Sequence, residues 1–537
     1  MSPEPQDDFL TAHGLREPAN RVSIPGHPAT VAAMLDEPLA TAPQKLALID
    51  RFDRLSFVDL ESRVNAACAF LTLRGVRPRH RVAATAANGA DLVTAFIATQ
   101  RLGAIWVGIN RNCAPAEKRY FLEDSGASLY LADAQAREQT ASTGIAQIGF
   151  EPGNDDSEWA LGSLAHRRAE RTPMPVDPWD PAAIAYTSGT TGRPKGAVHS
   201  QHNMMVAATL AQVMARDSVS DVVRGMTSPM TILNMMILGA IATLAKGDRL
   251  VCVDRTDARG VADWIRNERI TTTTLVPTIV YDLLTRADIP AEDLTSLDWL
   301  VVGGAMVPEG LASVYNARFG KRMTTGYGQT EIPTAISRTN GETSTTQGAV
   351  GLPLPHLCVC IRDDQDANLP AGATGEICVG PAQAGPYRGV YTPTLGYWNH
   401  PEATEELLRN GWLHTGDMGH MTEVGELFIQ DRRSDLIIRG GANIYPAEIE
   451  RVLRQDDRVI DCAVIGLPDD RLGHSIAAVV ETAGGVSDEE ITASLRDRCA
   501  DGLARYKNPA AWKIVPALPR NAAGKVLKRE LATLFDG

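Results

Sequence analysis

Tyr186-Thr-Ser-Gly-Thr-Thr-Gly-Arg-Pro-Lys-Gly196 is the stretch that decides how this chain is read. Four hydroxyl side chains and two glycines fall within Thr187–Gly192, and a lysine follows at 195. Gly189 and Gly192 let backbone N–H groups turn inward around an anion. Thr187, Ser188, Thr190 and Thr191 add hydroxyl donors, and Lys195 adds a compact positive charge suited to phosphate. The stretch follows a strand-like Ala183-Ile-Ala-Tyr186 and leads toward a helical pattern. It is not a Walker A loop, because no Gly-Lys-Ser/Thr follows the glycines. It is not a nucleophile elbow, because no Gly-x-Ser-x-Gly surrounds Ser188. Composition alone supports an anion cradle and a solvated Ser/Thr/Gly linker about equally.

Working outward, short β-rich runs alternate with helical patterns across the first four hundred residues or so, which predicts α/β layers. Arg249-Leu-Val-Cys-Val253 and Leu300-Val-Val302 are further strands of this kind. With 537 residues, the chain exceeds what one hydrophobic core organises, so at least two domains are expected. The boundary is placed near Asp431-Arg-Arg-Ser-Asp435, giving domains 1–432 and 433–537. A strand-like Glu426-Leu-Phe-Ile-Gln430 precedes it and Leu436-Ile-Ile438 follows. Pro446 then suits the first turn of a helix, and Ser487-Asp-Glu-Glu490 reads as a capping box opening another. The fold class is therefore α/β, with a large N-terminal domain of layered sheets and helices and a small α+β C-terminal domain.

The composition, 44% hydrophobic and 22% charged, is that of a globular protein. A net charge of −13 makes nucleic acid an unexpected partner. None of the eight cysteines forms a Cys-x-x-Cys pair, which suits reduced core thiols in a cytoplasmic protein. Cys358 and Cys360 would share one face of a strand. The acidic start, Met1-Ser-Pro-Glu-Pro-Gln-Asp-Asp8, lacks the basic head of a signal peptide. Gly225–Ala245 carries no charge, but Pro229, Asn234 and its other polar residues predict a proline-led turn and a buried helix rather than a membrane span. The sequence leaves the oligomeric state open, a homodimer included.

The 186–196 string closely resembles the phosphate loop of the adenylate-forming superfamily, which includes acyl-CoA synthetases, luciferases and peptide-synthetase adenylation domains. The resemblance recurs in order along nearly the whole chain. Gln100-Arg-Leu-Gly-Ala-Ile-Trp-Val-Gly-Ile-Asn110 resembles an early helix–turn–strand segment. Val301-Val-Gly-Gly-Ala305 resembles the strand and turn that border the adenine, and Thr325-Gly-Tyr-Gly-Gln-Thr-Glu331 the Gly-Tyr-Gly-x-Thr-Glu motif. Thr374-Gly-Glu-Ile-Cys-Val-Gly380 and Gly396-Tyr-Trp-Asn399 resemble a structural segment. Trp412-Leu-His-Thr-Gly-Asp417 is similar to the ribose motif, Asp431-Arg432 and Gly440–Glu450 to the hinge and its helix, and Pro519-Arg-Asn-Ala-Ala-Gly-Lys525 to the C-terminal lysine loop.

The resemblance implies roles. Gly303, Gly304, Ala305, Gly326, Tyr327 and Gly328 would surround the adenine, with Tyr327 stacked on it. Thr330 would contact the α-phosphate, and Glu331 would hold Mg²⁺, which normally takes one or two carboxylates plus substrate phosphates. Asp417 would accept hydrogen bonds from the ribose hydroxyls, with Arg432 on the ribose or phosphate side. Lys525 would lie between the substrate carboxylate and the α-phosphate, where a cation neutralises two approaching anions. Arg439, Gly440 and Gly441 would move toward the coenzyme A tunnel when a mobile C-terminal domain turns about the hinge at 431–435. Met230, Thr231, Ile232 and Asn234 would border the acyl group. The implied activity is an acyl-CoA ligase using ATP, Mg²⁺ and coenzyme A on a small-molecule carboxylic acid, favouring a bulky hydrophobic one. Lys507, Lys528 and Arg529 read either as a solvated face or as contacts for the phosphates of coenzyme A.

Three positions depart from the family pattern. Ser434 stands where many relatives carry Lys or Asp, Gln201-His202-Asn203 replaces His-Arg-Asn, and Thr231-Ile232 replaces an aromatic–histidine pair. These departures bear on the acid accepted and on how well each half-reaction runs. An enzyme loading a carrier protein, or running one half-reaction, is the nearest alternative. A non-catalytic nucleotide sensor and an interaction scaffold are further ones. Intact Lys195, Glu331, Asp417 and Lys525 count against both.

Overall fold

The protein was studied as a computed structural model. It describes residues 6–151, 153–166, 168–172, 174–187, 193–213, 221–303, 311–320, 322–339, 346, 348–432, 435–439, 442–469, 472–482, 484, 487–503, 505–521 and 524–535. Contact density divides the chain into two compact units. One comprises Met1–Val359 with Cys378–His414, the other Cys360–Ile377 with Thr415–Gly537.

The first unit is built on two large sheets. The seven-stranded sheet runs, edge to edge, through Gly396–Tyr397, Lys195–Ser200, Pro181–Thr187, Ile105–Gly108, Arg81–Thr85, Leu129–Ala132 and Gln147–Gly149. The nine-stranded sheet runs through Leu352–Pro353, Ile332–Arg338, Arg322–Gln329, Trp299–Val302, Thr272–Leu275, Val223–Met226, Arg249–Cys252, Leu46–Ile49 and Arg54–Ser56. The centres of both sheets are parallel. Parallel strands are covered on both faces, which explains apolar runs such as Ala182-Ala-Ile-Ala185.

Side-chain alternation assigns the two faces of the nine-stranded sheet. Leu275, Leu300, Val302 and Met323 pack outward against the helices Ala258–Glu268, Pro277–Thr285 and Leu311–Phe319. Met226, Leu250 and Cys252 face inward and join the largest hydrophobic cluster. That cluster also takes in the helices Phe57–Leu73, Ala90–Arg101 and Gln201–Val213. Ser56 opens the first of these helices by accepting a hydrogen bond from the Asp59 N–H, and the Asp59 carboxylate accepts one from the Ser56 N–H.

The uncharged stretch after residue 225 forms a helix from Leu233 to Leu244 whose middle, Ile237–Ile241, is wound as a π-helix. Two glycines seat this segment. A Cβ at Gly239 would lie 2.7 Å from Met226 Cγ, and one at Gly108 would lie 2.0 Å from the Thr231 carbonyl oxygen. Among the described residues, no helix is long and apolar enough to cross a membrane.

The second unit contains a three-stranded sheet of Val459–Asp469, Gly473–Thr482 and Ala511–Val515. The helices Pro446–Leu453 and Asp488–Gly502 pack on it. Pro446 occupies the first helical turn as expected, and Ser487 Oγ accepts from the Glu490 N–H at 3.2 Å. The segment following the phosphate loop differs from expectation. Lys195 begins a strand that pairs antiparallel with the strand before the loop, and the helix starts only at Gln201. The β-rich character of Gly-Ala-Val-His-Ser200, together with its paired neighbour, outweighs the helical reading.

Candidate active site

In the first unit, two hairpins and one short strand bring the predicted residues together. Strand pairing sets Thr187 opposite Lys195, so both stand where the phosphate-loop hairpin opens. Ser188, Gly189, Thr190, Thr191 and Gly192, at its tip, lie outside the described residues, as do Gly304 and Ala305. The far side of the hairpin is braced. The Tyr120 hydroxyl donates to the Pro194 carbonyl at 2.9 Å, and the Arg193 guanidinium sits 5.4 Å from the Tyr120 ring. The Tyr186 hydroxyl donates to Asp124 Oδ2 at 2.6 Å, its ring stacked on Phe121.

Thr330 and Glu331 form the turn between the paired strands Arg322–Gln329 and Ile332–Arg338. The reversal holds the Glu331 side chain with only 9% of the residue exposed. Its carboxylate accepts a hydrogen bond from the Tyr397 hydroxyl at 2.6 Å. The Tyr397 ring in turn lies 5.2 Å from Lys195 Nζ. Tyr397 reaches this position because Gly396–Tyr397 adds to the edge of the Lys195–Ser200 strand, Tyr397 opposite Ala197. A cation, an aromatic ring and a carboxylate from three separate parts of the chain thus form one chain of contacts. Sequence reading assigned Tyr397 to a structural segment and missed this link. The paired residues are far apart in sequence, and only the strand register joins them.

Beneath the turn lies His199, fully buried, with Nδ1 2.9 Å from Asn203 Oδ1. Burial pushes its pKa down to about 4, with the Thr330 backbone beside it. The imidazole is therefore neutral at physiological pH. It supports the turn from below and carries no charge to the phosphates.

The described residues predicted to surround the adenine keep exposed surface. Gly326 and Gly328 are exposed, and Tyr327 between them is half-buried. A Cβ built on Gly303 would meet nothing within 4 Å, leaving free space above the end of the Trp299–Val302 strand. The acyl-side residues divide. Met230 and Thr231 are packed into the interior, Thr231 with 2% exposure, while Ile232 and Asn234 retain surface. Asn88 fixes this segment. It donates to the Ser228 carbonyl at 2.9 Å and accepts from the Met230 N–H at 2.8 Å. Met226 and Met236 belong to the core cluster. Asn234, Met235 and Leu238, at helical spacing, keep partial exposure. The inward-facing Thr274, Trp299 and Val301 of the sheet are also incompletely covered. The helix meets this sheet face at Gly239, where a Cβ would lie 2.7 Å from Met226 Cγ.

In the second unit, Asp417 and Arg432 occupy opposed positions on the paired strands Leu413–Met421 and Leu427–Arg432. Asp417 is buried, and its N–H donates to Thr415 Oγ1 at 3.1 Å. Asp431 accepts from the Ala447 N–H at 2.8 Å and so anchors the start of the helix Pro446–Leu453. Arg439 Nη1 donates to the Tyr506 carbonyl at 2.6 Å. Gly440, Gly441 and Ser434 lie outside the described residues. Lys525 is exposed on a loop closed by the Asn521 N–H donating to the Lys525 carbonyl at 2.8 Å and by Asn521 Oδ1 accepting from the Lys525 N–H at 2.9 Å.

The neighbouring lysines are not a solvated face. Lys507 Nζ binds Glu448 at 2.6 Å, and Lys528 Nζ binds Glu450 at 2.8 Å. Burial pulls the Lys528 pKa down, but Glu450, Asp431 and Asp435 outweigh it, and Lys528 stays charged.

A buried carboxylate on a turn, linked through one aromatic ring to a lysine, is chemically suited to a phosphorylated nucleotide and its cation. Comparison with known proteins agrees. The family model described as "AMP-binding enzyme" matches residues 35–391, and the "AMP-binding enzyme C-terminal domain" matches 448–525. The feruloyl-CoA synthase of an Amycolatopsis species is 33% identical over 484 residues, covering 90% of this chain and 94% of that protein. The indoleacetate–CoA ligase of Aromatoleum aromaticum is 32% identical over 519 residues, covering 93% and 97%. The crystal structure of ATP-bound MatB from Rhodopseudomonas palustris superposes with a TM-score of 0.83 at 27% identity, covering 94% of this chain and 99% of that one. The chain belongs to the AMP-binding, adenylate-forming enzyme family. Within that family it is an acid–thiol ligase, an ATP-using acyl-CoA synthetase.

Proposed function

We propose that this enzyme converts a carboxylic acid with a bulky, largely apolar body to its CoA thioester through an acyl-adenylate, with the site residues acting as follows. The substrate carboxylate is a poor electrophile because its leaving group would be oxide. Its oxygen attacks the α-phosphorus of ATP, the bond to pyrophosphate breaks, and a mixed anhydride forms. Catalysis at phosphorus is chiefly positioning and charge neutralisation. Thr187, Lys195 and the loop 188–192 bind the phosphates, Thr330 contacts the α-phosphate, and Tyr327 stacks on the adenine. Asp417 holds the ribose, with Arg432 beside it, and Lys525 bridges the two reacting anions. A thiolate of coenzyme A then attacks the activated carbonyl and AMP leaves. Between the halves the C-terminal domain turns about 431–435, withdrawing Lys525 and presenting Arg439–Gly441 to the thiol.

Mg²⁺ suits this site. A single buried carboxylate, Glu331, held by a hydroxyl and facing the phosphate loop's lysine through one aromatic ring, leaves the remaining ligands to phosphate oxygens. Glu331 would hold the ion, which when bound offsets phosphate charge. The contact chain Lys195–Tyr397–Glu331 is the observation that carries the reading. The bulky body is supported by the partly exposed apolar Met235 and Leu238 beside Asn234, and by the ferulate and indoleacetate named for the relatives. Eight free thiols, four of them buried, suit a reducing cytoplasm.

Pyrophosphate release and thioester formation, measured with a panel of carboxylic acids with and without coenzyme A, test the proposal. Acid-dependent and Mg²⁺-dependent release, followed by CoA thioester and AMP in equal amounts, is expected. Release without thioester would favour loading of a carrier protein. No release with any acid would overturn the ligase reading.

A further inference from the structure

Arg520 stands at the entry of the loop that carries Lys525 and reaches across to its far side. Its Nη1 donates to the Gly524 carbonyl at 3.2 Å, one residue before the lysine. Gly524 has φ +80°, in the left-handed region that favours glycine, and makes the tight reversal that leads into Lys525. The flanks of the loop run antiparallel. Arg520 stands opposite Val526, and the Leu527 N–H donates to the Pro519 carbonyl at 2.8 Å.

What holds Arg520 is built into the sheet of the second unit. Asp461 and Glu481 are direct partners on the antiparallel strands Val459–Asp469 and Gly473–Thr482. Like charges opposed across two strands destabilise a sheet, so a carboxylate pair at this register calls for a cation. Arg520 Nη2 supplies it, binding Asp461 at 2.7 Å and Glu481 at 3.4 Å. Glu481 also accepts from the Leu518 N–H at 2.9 Å, which fixes the approach to the loop. Arg454 binds Asp461 at 3.1 Å and Glu450 at 3.5 Å, and Glu450 binds Lys528 at 2.8 Å. Charges therefore alternate from Arg520 through Asp461, Arg454 and Glu450 to Lys528. The two ends of this series are the two flanks of the lysine loop. Burial pushes the Asp461 carboxyl up, but Arg520 and Arg454 outweigh it and hold it below the ordinary carboxylate range.

An exposed ion pair contributes little to stability by itself. The geometry gives this one a different use. The Arg520 side chain is 36% exposed, while those of Asp461 and Glu481 are 22% and 14% exposed. The acids are set in the fold, and the arginine leans from them over the loop. A guanidinium fork bonds carboxylates and a carbonyl at once in a fixed outline, which an ammonium point charge does not do. A lysine that must stand between two reacting anions needs such a fixed outline, because a misplacement of about 1 Å can cost about 100-fold in rate.

We propose that Arg520 is a positioning residue for Lys525: clamped by Asp461 and Glu481, it fixes the Gly524 carbonyl and with it the shape of the loop that delivers the ammonium for adenylate formation. The inference rests on the reading that Lys525 bridges the substrate carboxylate and the α-phosphate. Arg520 acts through the loop, and it serves the first half-reaction, in which the lysine is required, rather than the second.

Hydrogen exchange and the two half-reactions, measured on the intact chain, test this. In Arg520→Met, amide exchange in residues 519–527 should speed up about tenfold, the worth of one hydrogen bond to a charged group, while exchange in the two long strands stays near wild type. With ferulic and indole-3-acetic acids as probes, kcat for pyrophosphate release should fall about 10- to 100-fold, with the KM for ATP within about twofold. Thioester formation from the synthetic feruloyl and indoleacetyl adenylates should stay within about threefold of wild type. Arg520→Lys keeps a cation between the two acids, so it should restore the thermal midpoint but recover only part of the adenylation rate. A structural role alone would lower both half-reactions together and be fully rescued by lysine. Lys525→Ala is the control. If it spares adenylate formation, the bridging reading fails and the inference falls with it. If it abolishes adenylation while a folded Arg520→Met enzyme keeps the wild-type rate or the wild-type loop exchange, the positioning role alone is overturned. Should Arg520→Met not fold, a fully active Arg520→Lys enzyme overturns it as well. Exchange needs no substrate, so slow turnover of both acids does not shield the proposal.

Discussion

Replacing Tyr397 by phenylalanine isolates one hydrogen bond at the centre of the site. The ring remains, so its contact with Lys195 at 5.2 Å is kept. What is lost is the hydroxyl donated to Glu331 at 2.6 Å. A hydrogen bond to a charged group is worth about 1.5–3 kcal/mol. Water can reach part of the vacated position, so the lower end applies, about 1.5 kcal/mol or close to tenfold. If Glu331 holds Mg²⁺ and Tyr397 positions Glu331, the loss falls on metal use. In pyrophosphate-release assays at saturating acid and ATP, the half-saturating Mg²⁺ concentration should rise about tenfold. The KM for ATP at saturating Mg²⁺ should change far less. Tyr397→Ala removes the ring as well, and with it a cation–π contact of about 0.5–1 kcal/mol, so the KM for ATP should then rise too. A purely structural role would shift kcat and thermal stability without changing the Mg²⁺ dependence. A folded Tyr397→Phe enzyme whose Mg²⁺ half-saturation stays within about twofold of wild type would refute the positioning role and weaken the assignment of Glu331.

Other expectations follow from the remaining site residues. Lys525→Ala should abolish adenylate formation while leaving thioester formation from a supplied acyl-adenylate largely intact; equal loss of both, measured separately in a folded variant, would count against the bridging role. Asp417→Ala should weaken AMP binding by about 1.5–3 kcal/mol in calorimetry, and an unchanged affinity would refute the ribose contact. Acid should destabilise the first unit. Burial holds His199, His202 and His356 near pKa 4, below the unfolded value of 6.5, so each takes up a proton on unfolding between those limits and its contribution is lost as pH falls through 6.5 toward 4. Asp91, raised to about 6 by burial, acts in the opposite direction over roughly the same window, as do Asp180 and Asp248, which burial also raises, while His80, lowered by burial, sides with the three histidines, whose large shifts set the net direction. Thermal midpoints should therefore fall from pH 7 to pH 4.5, and a flat or rising profile would contradict the neutral, buried state of these histidines.

Local pattern carried much of the fold. The strands around 183–186, 249–253 and 300–302, the proline-led helix at 446 and the Ser487 cap are all present. Each depends on neighbours in sequence, where periodicity and capping chemistry operate. What local pattern could not supply was partnership across the chain. Lys195 starts a strand because Thr187 pairs with it, and Tyr397 meets Glu331 because an edge strand of two residues joins the same sheet. Arg224 and Arg338 read in sequence as ordinary charged residues, and only the sheet register turns both inward. Sequence reading placed Met230 beside the acyl group with Thr231, Ile232 and Asn234. The structure assigns Met226, Met230 and Met236 to the core and gives the partly open surface to Ile232, Asn234, Met235 and Leu238.

The departure at Gln201-His202-Asn203 acquires a physical meaning from its contacts. Gln201 Nε2 donates to Gln100 Oε1 at 2.9 Å, and its own Oε1 accepts from the Ala32 N–H at 3.2 Å. His202 stacks against Trp179 with ring centres 4.1 Å apart, and its Nε2–H donates to the Val22 carbonyl at 2.9 Å. Asn203 donates to the Thr392 carbonyl and accepts from His199, the ring beneath the Thr330–Glu331 turn. All three side chains are buried, and these contacts are to the protein's own scaffold. Residues so committed have no free group to offer a substrate. Of the three, Asn203 alone reaches His199 and so can act on the seating of the Thr330–Glu331 turn, while Gln201 and His202 tie the start of their helix to Gln100, Ala32, Val22 and Trp179. The two other departures have different reach: Ser434 lies outside the described residues, while Thr231 and Ile232 lead into the helix that starts at Leu233. The replaced pair itself divides, Thr231 packed into the interior and Ile232 keeping surface, so of the two Ile232 is the one with exposed area to offer an acid.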